Sequence, residues 1–184
     1  MPFDRARTAR GAVAGAIAAG VWAAQQPLDK RAFRSDYDDV ELLGKALVQG
    51  PGWYPAGLGA HLVNGALFGS VYANVAPLVP LPGWAGGAAA ALAEHVALWP
   101  LGRLSDRVHP ARRQLTPIAG NRRVFVQAAW RHALFGVLLG ELERRLNQPE
   151  SELPPYEGLV SPNGHGELED AMPAGTADEV GGSS

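Results

Sequence analysis

The chain has 184 residues, a formal net charge of −2, no cysteine and 47% hydrophobic residues. A near-neutral charge balance argues against a general nucleic-acid binder, and the lack of cysteine excludes disulfides and thiolate metal sites. Mean hydropathy is −0.05, but the average hides segregation, with apolar residues in blocks and charges in the connections and the C-terminal tail.

A short basic start, with Arg5, Arg7 and Arg10, leads into a first apolar block over residues 11–28 that is rich in Ala and Gly. Basic residues ahead of an apolar core ending at Ala23 and Ala24 also fit a signal peptide. The continuation into Gln25, Gln26 and Pro27 favours a retained helix. A charged connection over residues 29–55 follows. Within it, acidic caps ahead of Val40, Leu43 and Leu47 predict a short amphipathic, interfacial helix over residues 37–49, ended by Gly50, Pro51 and Gly52. The run Asp36, Asp38, Asp39 and Glu41 lacks the glycine and distal Glu of an EF-hand loop, so helix capping explains it better than cation binding.

Residues 46–93, 48 in a row, contain no Asp, Glu, Lys or Arg. Pro77, Pro80 and Pro82 divide this stretch into halves of about 20 residues, the length that crosses a ~30 Å hydrocarbon core at ~1.5 Å per residue. The pattern predicts a transmembrane helical hairpin with spans at residues 56–76 and 84–101, and Trp53 and Tyr54 at its mouth as interfacial aromatics. A basic loop over residues 102–123 holds six Arg against Asp106, with His109-Pro110 as an exposed turn. It reads as a topology determinant close to anionic headgroups. A fourth span is expected at residues 124–142. From residue 147 the tail carries eight acidic residues and no Lys or Arg, which predicts disorder.

The fold expected is therefore all-α: a four-helix transmembrane bundle over residues 1–146 with one interfacial helix and a disordered acidic tail. The two long connections carry ten of the Lys and Arg residues, which places them in the cytoplasm by the positive-inside rule. That arrangement puts Arg5, Arg7 and Arg10 on the outer side, a conflict that a re-entrant first helix would remove.

Polar groups inside the spans are the candidate site. His61, Asn64, Glu94, His95, Arg131 and His132 come from three helices and fall in one layer, about 8–13 Å from the side of the long loops. Small residues recur every four positions beside them, as at Gly57, Gly65 and Gly69, or Gly136 and Gly140, so the histidines should face other helices. A structural network, with Glu94 paired to Arg131, would make such burial tolerable. Two functional readings stand beside it. One is a polar pathway for ions, protons or a small solute, in a homo-oligomer or as an accessory subunit with a membrane partner. The other is a metal or haem site on His61, His95 and His132. No nucleophile elbow, paired aspartates or His-Glu-x-x-His string suggests an enzyme, and no cofactor is implied.

Residues 11–33 and 37–44, together with His61, Asn64 and Gly65, Glu94-His95, Asp106-Arg107, His109-Pro110 and Trp130-Arg131-His132, carry a resemblance. They look like uncharacterised small multi-pass integral membrane proteins of high-GC actinobacteria. The resemblance covers about residues 9–147. It implies a bacterial inner-membrane location and carries over no catalytic residue.

Overall fold

The computed structural model describes residues 4–148, and every regular element among them is helical. The elements are α1 (Arg5–Phe33), α2 (Asp39–Leu47), α3 (Trp53–Val75), α4 (Gly83–Leu98), α5 (Gly102–Val108) and α6 (Arg122–Leu146), with single 3-10 turns at Ala76–Leu78 and Trp99–Leu101. The expected disordered tail lies outside the described residues from 149 onward.

Local chemistry sets most boundaries. Asp4, Asp38 and Asn121 cap α1, α2 and α6, each accepting a backbone N–H from three residues on. Helix α1 runs through Pro27 to Phe33, beyond the expected end at residue 28. It stops where Arg34 adopts a left-handed conformation (φ 50°) and the Ser35 N–H returns to the Lys30 carbonyl. Helix α5 lies inside the basic loop, which sequence periodicity did not suggest. Asp106 folds the rest of that loop back by accepting N–H groups from Ile118 and Ala119. His109 is not the exposed turn expected. It is buried, accepts the Ala111 N–H on Nδ1 and so donates from Nε2 to the Leu42 carbonyl, tying the loop to α2.

The long helices form two antiparallel hairpins with the same internal design. In α1–α3, Gly11 and Gly15 lie against the backbones of Gly69 and Gly65. In α4–α6, Gly83 and Gly87 lie against Gly140 and Gly136 in the same order. A Cβ at any of these positions would strike a carbonyl of the facing helix, so only glycine permits the approach. Helix α2 joins α3 through a third seam of the same kind, Gly44 against Gly57. The hairpins meet through α1 and α6, whereas α3 and α4 scarcely touch except where the Tyr72 hydroxyl donates to the Gly83 carbonyl. The resulting row, α3–α1–α6–α4, leaves a cleft on its open side.

The helices occupy the segments expected of the four spans, but no helix among the described residues is long and apolar enough to cross a membrane. Helix α4 has only 16 residues, and glycine and histidine on the packed face lower the average along α3.

Candidate functional site

The site is organised around Arg131, whose side chain is 0% exposed. Its Nε and Nη2 donate to the two carboxylate oxygens of Asp29, both at 2.6 Å, in a fork that matches the carboxylate plane. Its Nη1 donates to Asp39 Oδ2 at 2.6 Å, and Nη2 also reaches the Tyr37 carbonyl at 3.1 Å. Gln25 and Gln127 add amide donors to Asp29, while Trp22 Nε1 and the Tyr37 hydroxyl donate to Asp39. Burial raises the Asp39 carboxyl, but the Arg131 charge and the Tyr37 hydroxyl outweigh it and hold the group below its ordinary value. Burial, with the Asp39 charge beside it, pushes the Tyr37 hydroxyl well above its ordinary range, so it stays a donor.

The expected Glu94–Arg131 pair is not formed. Successive residues on a helix point about 100° apart, so Arg131 and His132 cannot both face α4. Arg131 faces α1 and α2, and His132 takes the α4 side with its Nε2 3.7 Å from Glu94 Oε2. Asp29 and Asp39 were read as loop and capping charges. The available signal was the stripe Trp22, Gln26 and Asp29, spaced as one helix face and buried along its length once α1 continues past Pro27.

A cavity of about 160 Å³ opens beside this cluster. His61, Asn64, Glu94 and His132 line it, together with Asp39 and Trp22 at its α1–α2 wall. Four of the six expected polar-layer residues thus share one space, with Arg131 behind Asp39. His95 is buried behind His132, their ring centroids 4.8 Å apart. His132 donates from Nδ1 to the Ala128 carbonyl at 2.7 Å, which leaves the Nε2 lone pair toward Glu94 when the ring is neutral. The Nε2 atoms of His61 and His95 are buried without a hydrogen-bond partner.

Among the described residues no group of three His, Asp or Glu side chains could hold a metal ion. The suggested set of His61, His95 and His132 does not converge, because the His95 and His132 rings lie against each other and His61 packs instead on the edge of Trp22. What the arrangement can do is present carboxylate, imidazole and amide acceptors, with aromatic walls, to a small molecule.

Comparison with protein-family models, curated proteins and solved structures finds no match. The site has to be read from its own chemistry.

Proposed function

We propose that the chain is a multi-pass helical protein of the bacterial inner membrane, not an enzyme, that binds a small polar solute or ion in the cavity between its two hairpins and moves it across or within the bilayer. The observation that carries this reading is inverted polarity. Arg131, Asp29, Gln127, His61 and His95 are buried, while Val63, Leu67 and Val71 on the outward face of α3 are 58–66% exposed. Val13, Ile17 and Val21 continue the exposed apolar surface on α1. Water would penalise both halves of that arrangement, whereas a hydrocarbon surround favours it.

The whole-helix hydropathy average understates the outward surface, because each hairpin turns its glycines and histidines inward. Charge placement agrees with a bilayer. Arg7 pairs with Glu143 and Arg10 with Asn147 at one end of the bundle, and the Arg131 cluster and Lys30–Asp38 mark the other. Along α1, Arg10 to Asp29 is about 28 Å at ~1.5 Å rise, close to a ~30 Å hydrocarbon core. Hairpins repeated in parallel, with a cavity at their junction, also follow the plan on which many membrane carriers place their sites.

The test begins with membranes from cells making the full chain, washed in alkaline carbonate. The chain stays in the pellet, and bromine-labelled lipid quenches the outward Trp84 and Trp130. Release into the wash without quenching would overturn the membrane reading.

A further inference from the structure

We infer that the cavity is selective for a small organic cation, an ammonium ion of about six heavy atoms, held against the Glu94 carboxylate. This rests on the proposed solute site and names its substrate class.

Charge decides the sign. The buried cluster sets one guanidinium, Arg131, against two carboxylates, Asp29 and Asp39, while Lys30 is occupied by Asp38. Glu94 adds a further carboxylate at the cavity wall, with His132 as its neighbour. The ionisable groups facing the cavity are Asp39 from α2, His61 from α3, Glu94 from α4 and His132 from α6, with His95 packed behind His132. None of these is a fixed cation. An anionic ligand would meet acceptors and carboxylates, whereas a cation meets complementary charge.

The walls decide the class. Trp22, Phe68 and Phe135 line the same space, and aromatic rings beside carboxylates are how organic ammonium ions are recognised. His61 also lines the space, with its Nε2 buried and without a hydrogen-bond partner. A bare metal ion lacks its ligand set here. The volume, about 160 Å³, is close to the ~150 Å³ of a cavity that admits benzene, which sets the size limit.

The chain has no cysteine, so Asn64→Cys creates a single reporter at the open side of the cavity. Purified full chain in detergent is treated with neutral, cationic (trimethylammonium-ethyl) and anionic (sulfonato-ethyl) methanethiosulfonates. Neutral labelling reports access, and the cationic reagent should outpace the anionic one by about tenfold or more, a preference that Glu94→Gln removes. Tetramethylammonium should protect the cysteine. Equal rates for the two charged reagents would overturn the cation inference while leaving the solute site intact. No labelling by any reagent, at Asn64→Cys or at a second reporter Leu43→Cys on the α2 wall, would overturn both.

Discussion

Arg131 and His132 are neighbours in the chain and face opposite halves of the bundle: the guanidinium holds Asp29 and Asp39, and the imidazole faces Glu94. A rotation of about 100° on α6 therefore separates a closed ionic cluster from an open polar cavity. The charged groups of the cluster are paired, although Gln127 Oε1 beside them is buried without a partner, and at the cavity Glu94 and His132 stand 3.7 Å apart. This division suggests which residues stabilise the fold and which are free to serve a ligand.

Removing the cation should expose the cost of the cluster. Arg131→Met leaves two carboxylates without their partner and should destabilise the fold by about 3–5 kcal/mol. Adding Asp29→Asn to Arg131→Met should recover part of the loss, which is measured by thermal unfolding in detergent. Arg131→Lys should also lose stability, because an ammonium cannot reproduce the two-pronged contact with Asp29. A stable Arg131→Met single variant would contradict this account.

The glycine seams make a second case. Gly15→Val and Gly87→Val each place a side chain against a facing backbone carbonyl, and each should lower the melting temperature strongly. Gly59→Ala meets nothing within 4 Å and should leave stability unchanged or slightly raised. Equal effects at all three positions would show that helix propensity, not close approach, governs the response.

Acid should act through Asp39. Its carboxyl lies below its ordinary value in the folded chain, so the stabilisation is complete above the unfolded value near 3.8 and is lost as pH falls through the lower folded value. Tyr37→Phe removes the hydroxyl that donates to Asp39, at a cost of about 1 kcal/mol. It should also move the acid transition toward higher pH. Unfolding curves from pH 6 to pH 2 with wild type and variant decide it, and superposable acid limbs would count against Asp39 as the responsible group.

The outward face separates bilayer from water. Leu67→Arg places a charge where the side chain is well exposed. In a bilayer the substitution should cost about 2.5–3.5 kcal/mol of insertion free energy. On a water-facing surface the change stays within about 0.5 kcal/mol. Membrane recovery and melting temperature of Leu67→Arg, against Arg103→Leu in the basic loop as control, read the difference directly.

The helices were legible because proline and glycine punctuate the chain and the apolar blocks are long. Gathering His61, Asn64, Glu94 and His132 in one space was legible too, since antiparallel helices of known rise bring equal depths together. The partners were not. Choosing Asp29 over Glu94 for Arg131 depends on helix rotation and on which hairpins adjoin, and a single sequence fixes neither. Asp29 looked like a loop residue because Pro27 reads as a stop, although a helix already packed along its length tolerated it. The buried role of His109 depends on a long-range contact with Leu42 that no local pattern announces.

The separation in sequence between Arg131 and its two carboxylates gives the bundle an order of assembly. Asp29 and Arg131 lie 102 residues apart, and at about 5–20 residues per second of synthesis the aspartates wait roughly 5–20 s for their cation. The first hairpin can close its glycine seam during that interval, but its buried carboxylates are neutralised only when α6 docks in the right rotation. Ion pairing must therefore wait for α6, and a second hairpin docked in another register would leave a costly uncompensated charge.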